Sequence, residues 1–238
     1  MGNIRLILRL AILALSLAVC VLLHGLWRLA RLPSPWPRLF LKSFGRIAGA
    51  RARVTGTPLR RDVVFLANHL SWIDIPVLAG VTGTAFVGKA ELKDIPVIGW
   101  LCTLNHTLFV RRGDRMGIAA QIAEVARALT EGWSIAIFPE GTTGDGSALL
   151  PFKPALLAVL EPPPPGLMVQ PVRIDYGPAT TELAWIGDEP GQSHAARVFR
   201  RRGTYAVNLR FLDPFDPAAT GDRKAIAAEA RRRIEAAT

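Results

Sequence analysis

Cysteine is scarce: the 238 residues hold two, Cys20 and Cys102, in separate apolar stretches. Two thiols without framework spacing exclude a disulfide-stapled scaffold and a thiolate zinc site. They fit a catalytic part that faces a reducing compartment. Acidic residues are also short, with 19 Asp and Glu against 29 Lys and Arg, a formal net charge of +10. That balance favours anionic partners: a membrane surface, a phosphate-bearing substrate or nucleic acid. No Gly-x-Ser-x-Gly occurs and Cys102 lies in an apolar run, so there is no nucleophile elbow. There is no internal repeat, and no low-complexity stretch beyond Pro162–Pro165. Cys102 and His106 lack carboxylate or thiolate company, so no metal is expected.

Hydrophobic residues, by contrast, make up 50% of the chain, enough for a substantial single core. The longest run extends from Leu10 to Trp27 and is diluted only by Ser16, His24 and Gly25. A bilayer core about 30 Å thick asks for roughly 20 such residues, with a workable minimum near 17. The run is just long enough to span, and dipping into one leaflet fits equally. Arg5 and Arg9 precede it, while Arg28, Arg31, Arg38, Lys42, Arg46, Arg51 and Arg53 follow. The heavier downstream charge keeps the remainder on the cytoplasmic face of an inner membrane. No small-x-small cleavage site comes before Pro33, which argues against a removed signal peptide.

Pro33-Ser34-Pro35-Trp36-Pro37 then breaks the helix, with Trp27 and Trp36 flanking the exit. From Arg38 to Arg46, basic residues interleave with Leu39, Phe40, Leu41 and Phe44. That pattern suits a helix lying on anionic lipid, or a surface helix of the following domain. Residues 1–55 are expected to form a membrane anchor and interfacial helix, and 56–238 a single catalytic domain.

Beyond Arg60, strand-length apolar runs alternate with longer helical patterns. Val63–Ala67, Ala85–Val87, Thr107–Val110, Ile135–Phe138, Val169–Ile174 and Tyr205–Phe211 read as strands. Ile73–Leu78, Val97–Leu104, Gly117–Glu131, Pro154–Leu160 and Arg223–Ala237 read as helices. Gly177 to Gly203 reads as an irregular polar excursion. The expected fold is α/β: a largely parallel mixed sheet flanked by helices, after an N-terminal membrane-embedded helical segment.

The strand Val63–Ala67 runs into Asn68-His69-Leu70-Ser71-Trp72-Ile73-Asp74. It delivers His69 to the carboxyl edge of the sheet, where open α/β folds place their ligands. Asp74 opens the next helix and can fold back on the imidazole, fixing its tautomer and leaving the other nitrogen as a base. A second strand ends in Phe138-Pro139-Glu140-Gly141-Thr142-Thr143. A carboxylate, a glycine and two hydroxyls there build a polar cradle for an oxygen-rich acceptor.

His-x4-Asp after Asn, with Phe-Pro-Glu-Gly-Thr later, resembles the glycerolipid acyltransferase family, whose best-known members are the 1-acylglycerol-3-phosphate acyltransferases. Phe86-Val87-Gly88-Lys89-Ala90-Glu91-Leu92, Phe109-Val110-Arg111-Arg112 and Val169-Gln170-Pro171-Val172 are similar to further blocks of that family. The likeness covers roughly Val63 to Arg173. Where the family often has Asp before its final arginine, this chain has Arg111.

The resemblance implies transfer of a fatty acyl group from acyl-CoA or acyl carrier protein to the free hydroxyl of lysophosphatidic acid. The donor is a substrate, and no cofactor is implied. His69 and Asp74 would be catalytic, with direct attack of the acceptor hydroxyl and no acyl-enzyme. Arg112, Glu140, Thr142 and Thr143 would position the acceptor, and Lys89 or backbone N–H groups near Gly141 would face the oxyanion. Lyso-ornithine lipid, which also offers a secondary hydroxyl, is the alternative acceptor. A lipid hydrolase and a basic nucleic-acid binder are the other classes. The second lacks interleaved stacking aromatics and any nucleic-acid motif.

Overall fold

The computed structural model describes residues 1–110 and 118–237. Helix α1 (Gly2–Leu29) is 28 residues long, and none of its residues is buried. At about 1.5 Å per residue it is long enough to cross a bilayer core. The chain turns near Pro33, where Trp27 and Trp36 meet edge to face at 5.4 Å, and returns in α2 (Trp36–Ile47).

Both feet of this hairpin stand on the folded domain. At one foot, Arg9 donates to the carbonyls of Val198 and Phe199 (both 3.3 Å) and Arg5 to that of Arg200. These are the terminal carbonyls of α7 (Gly191–Arg200), so two arginines of one helix cap the C-terminus of another. At the other foot, α2 lies across α3 (Asp74–Thr82). A Cβ added at Gly80 would come within 2.9 Å of the Lys42 Cα, so the two helices cross with their backbones nearly touching.

The domain is a seven-stranded sheet in the order β1-β7-β6-β2-β5-β3-β4. Its strands are β1 (Ala50–Thr55), β2 (Val63–Ala67), β3 (Ala85–Lys89), β4 (Leu108–Val110), β5 (Ile135–Ile137), β6 (Met168–Asp175) and β7 (Tyr205–Phe211). All pairs are parallel except β6–β7. The sheet is therefore mixed and largely parallel, as the alternating pattern predicts. β2 is fully buried, so its side chains serve both faces. Phe65 and Ala67 join a core with Ile73, Leu78 and Tyr176, whereas Val64 and Leu66 join one with Leu129, Ile135 and Ile226. The helices that pack into these cores are α3, α5 (Ile118–Thr130), α6 (Thr180–Leu183), α7 and α9 (Arg223–Ala236); α4 (Pro96–Leu104) and α8 (Pro217–Thr220) are the remaining helices.

Two elements depart from the sequence-based expectation. β1, Ala-Arg-Ala-Arg-Val-Thr, is an edge strand with only Ala50 buried. Its arginines read as membrane-flanking charge, yet it pairs with β7 from Ala50↔Tyr205 to Thr55↔Arg210. The excursion before β7 is not irregular, because it holds α7. That helix buries only His194, Val198 and Phe199, and its polar face masks the periodicity.

Where β2 leaves the sheet, an amide side chain takes over from the ladder. Asn68 donates to the Ile174 carbonyl (2.9 Å) and accepts from the Ile174 N–H (2.7 Å). Asn68→Ala would leave both buried main-chain groups unpaired, at about 1–3 kcal/mol each. Denaturant unfolding in detergent should show a loss of about 2–4 kcal/mol. A loss below about 0.5 kcal/mol, the level of an ordinary surface change, would contradict this account.

Candidate active site

β2 and β5 are parallel neighbours, with Leu66 opposite Ile137, so their carboxyl ends open at the same edge. His69 leaves one and Phe138 the other, and their rings stack at 4.0 Å with 13° between planes. Phe86 of β3 stacks in turn on Phe138 at 5.9 Å. The imidazole thus lies against a flat aromatic face that limits its rotation.

Asp74, the first residue of α3, folds back on His69. Its Oδ2 accepts from His69 Nδ1 at 2.8 Å, from the Leu70 N–H at 2.7 Å and from the Ser71 N–H at 3.0 Å. Its Oδ1 accepts from the Tyr176 hydroxyl. With Nδ1 donating to the carboxylate, the network assigns the lone pair to Nε2, which no described residue engages. The His69 side chain is 16% exposed and that of Asp74 0%, so a substrate can reach the imidazole but not the carboxylate. A neutral imidazole with a free Nε2 and a buried carboxylate behind Nδ1 can take a proton from a hydroxyl and hold it as imidazolium.

The residues after β5 mainly brace this pair. Glu140, 2% exposed, accepts the His69 N–H at 3.0 Å and the Leu150 N–H at 3.3 Å. Burial raises its pKa, opposed by those backbone donors. Gly141 adopts φ +69, the left-handed region that suits glycine, and its N–H closes a turn on the Phe138 carbonyl at 3.0 Å. That N–H is engaged within the turn. The Gly144 N–H donates to the His69 carbonyl at 2.8 Å, and the Thr143 hydroxyl to the Trp185 carbonyl. Thr142 is exposed and makes no side-chain hydrogen bond among the described residues. Lys89 is the last residue of β3, paired through the backbone with Val110. Arg112 lies outside the described residues.

Sequence reasoning missed a second layer. The Trp185 N–H donates to the Leu70 carbonyl at 2.9 Å, which ties the segment after β6 to the histidine turn. Trp72, inside His-x4-Asp, donates its indole N–H to His194 Nδ1 at 2.9 Å, and His194 Nε2 donates to the Leu183 carbonyl at 3.1 Å. Tyr176 was equally invisible, since no spacing rule links it to Asp74 across the chain. His106 packs edge-on against Trp133 at 4.0 Å. No group of three or more His, Cys, Asp and Glu able to hold a metal occurs among the described residues.

An α/β sheet whose carboxyl edge carries a His–Asp pair beside a Pro-Glu-Gly-Thr turn is the architecture of an acyltransferase. The Acyltransferase family model matches residues 51–175. The lyso-ornithine lipid O-acyltransferase of Brucella abortus (strain 2308) is 35% identical over 99% of this chain and 94% of its own length. That of Pseudomonas aeruginosa is 38% identical over 78% of this chain and 71% of its own. The crystal structure of the 1-acyl-sn-glycerophosphate (LPA) acyltransferase from Thermotoga maritima superposes with TM-score 0.67 at 25% identity. It covers 100% of this chain and 98% of that one. This chain belongs to the glycerolipid acyltransferase family. The family works without a cofactor, its acyl donor being a substrate.

Two predictions follow from the bracing. Because Glu140 holds the His69 main chain, Glu140→Gln should lower kcat about tenfold, some 1.4 kcal/mol of barrier, with acceptor KM little changed. A raised KM at unchanged kcat would instead mean that Glu140 contacts the acceptor. The second concerns His194, which must be neutral to accept from Trp72. Burial, and next the charge of Arg197, hold its pKa below the ordinary value. A folded pKa below the unfolded one favours unfolding on protonation, so stability is full above about pH 6.5 and drains as the pH falls. Unfolding midpoints from neutral pH to about 5 should fall less steeply in His194→Gln than in the parent. Parallel slopes would refute the assignment.

Proposed function

We propose that this protein is a membrane-associated lysolipid acyltransferase in which His69 acts as general base and Asp74 orients it. The observation that carries the reading is the His69 Nδ1–Asp74 Oδ2 bond at 2.8 Å, with Nε2 left without a partner among the described residues. The acceptor hydroxyl gives its proton to Nε2 as its oxygen attacks the thioester carbonyl. The tetrahedral intermediate collapses with expulsion of the thiolate, and the imidazolium returns the proton to the leaving sulfur. Asp74 stabilises the imidazolium without taking the proton. Thr142, the one hydroxyl of the Pro-Glu-Gly-Thr turn without a partner among the described residues, faces the acceptor. Arg112 and Lys89 supply positive charge for an anionic group of acceptor or intermediate.

The favoured acceptor is lyso-ornithine lipid, ahead of the lysophosphatidic acid that the motifs alone suggest. Support comes from the full-length similarity of the Brucella abortus enzyme, 35% identical over 99% of this chain. The lysophosphatidic acid reading rests on the structural likeness, at 25% identity. Either acyl-CoA or acyl carrier protein suits the basic chain as donor.

The hairpin α1–α2 supports attachment to one leaflet. Arg5 and Arg9 are bonded to the catalytic domain, so the N-terminus and that domain lie on the same side. A helix that leaves and re-enters on one side dips without crossing. An apolar cleft where α1, α2 and α4 meet, lined by Leu17, Val21, Phe40 and Leu104, offers a lipid tail a place at that face. The catalytic unit starts at β1, Ala50, short of the boundary at residue 56 that the sequence suggests, and faces the cytoplasm from the inner membrane.

Detergent-purified protein, given a radiolabelled acyl thioester, should acylate lyso-ornithine lipid in preference to lysophosphatidic acid in direct competition. His69→Ala should lower kcat by about 10²–10⁴-fold. Preference for lysophosphatidic acid reverses the acceptor assignment alone. Thioester consumed with neither lipid acylated would mean a hydrolase.

A further inference from the structure

We propose that Tyr176 is a positioning residue of the reaction, its hydroxyl holding Asp74 Oδ1 and so setting both the orientation and the basicity of His69. The inference rests on the reading of His69 as the base.

Asp74 is completely buried, and its two oxygens are used unequally. Oδ2 takes the imidazole and the Leu70 and Ser71 N–H groups, while Tyr176 is the partner of Oδ1. Without that donor, Oδ1 would be a desolvated acceptor with no partner among the described residues, and the carboxylate would lose the contact that fixes its angle to Nδ1. The tyrosine is itself built in. It is 1% exposed, and it follows β6 two residues after Ile174, whose main chain is clamped by Asn68. The same strand that pairs with β2 therefore carries the hydroxyl beneath the histidine turn. Burial, with the adjacent Asp74 charge, pushes the phenol well above its ordinary pKa, so it stays a donor throughout the working range.

A donor on a carboxylate draws off part of its charge. Asp74 then stabilises the imidazolium less than a free carboxylate would. Other groups reach this cluster from their own elements. Glu140 comes from the turn after β5, and Ser71 approaches Tyr176 from the histidine turn. Tyr205 of β7 lies 6.2 Å away ring to ring, with Arg201 over its outer side at 5.3 Å. None of them bonds Oδ1.

The chain has two tyrosines, so a Tyr205→Phe background makes Tyr176 the sole one. In that background Tyr176 is replaced biosynthetically by 3-fluorotyrosine and by 3,5-difluorotyrosine, and separately by phenylalanine. Transfer from a long-chain acyl-CoA to lyso-ornithine lipid, or to lysophosphatidic acid if that is the better acceptor, is followed across pH. The acid limb of kcat/KM reports the free base. Fluorination makes the phenol a stronger donor, so the limb should move to lower pH in the order of fluorine content. Tyr176→Phe should move it upward and cut kcat about tenfold, with acceptor KM unchanged. The fluorinated tyrosines are nearly isosteric, so the series is decisive even if the phenylalanine variant misfolds. An acid limb that stays fixed across the series overturns the proposal, since a merely structural tyrosine would alter stability alone. His69→Ala run alongside separates the two ideas. Residual transfer there overturns the base reading itself, whereas an inactive His69→Ala with an unmoved limb overturns only the role of Tyr176.

Discussion

A charged side chain with no exposure is costly unless every lone pair finds a donor, and Asp74 is such a side chain at the head of α3. The demand for donors organises what surrounds it. The chain from His69 to Ser71 must curl tightly enough to aim the Leu70 and Ser71 N–H groups at one oxygen, which also brings Nδ1 to 2.8 Å. β6 must run far enough to place Tyr176 at the other oxygen. The turn after β5 must present Glu140 to the His69 N–H and Phe138 to its ring. The geometry of the imidazole is thus the by-product of solvating one buried carboxylate with protein.

The same turn is held from behind by elements that reach the N-terminal hairpin. Trp72 packs against Phe44 of α2 at 5.6 Å and against Phe199 of α7 at 6.0 Å, with its N–H on His194. α7 is capped by Arg5 and Arg9 of α1. The histidine turn, α7 and both hairpin helices therefore form one packed unit. The hairpin is built into the back of the site and is not hung on a linker.

Much of this was legible in residue order. β2 and β7 fall where the apolar runs place them, β2 because a strand buried on both faces leaves little room for polar residues, β7 because its buried positions alternate along the strand. His69 and Asp74 announce themselves because their partnership is local, closed within a single turn. Elements whose contacts are distant did not. β1 looked like basic flank because an edge strand can expose nearly every side chain and still pair through its backbone. α7 looked irregular because its buried face is narrow. Glu140, Thr143 and Gly141 drew notice as a polar cradle, and folding turned most of that polarity inward, onto His69, Trp185 and Phe138.

By itself, then, the sequence determined the class of fold, the apolar N-terminal helix, the motif pair and the family they mark. Periodicity, run length and short spacings are properties of neighbouring residues, so they survive in one dimension. Only the tertiary structure decided that Tyr176 meets Asp74, that His194 meets Trp72, and that Arg5 and Arg9 close α7. Each of those contacts joins residues far apart in the chain. A hydrogen bond or a helix cap depends on position and orientation in space, which no local pattern records until the sheet has brought the strands into register.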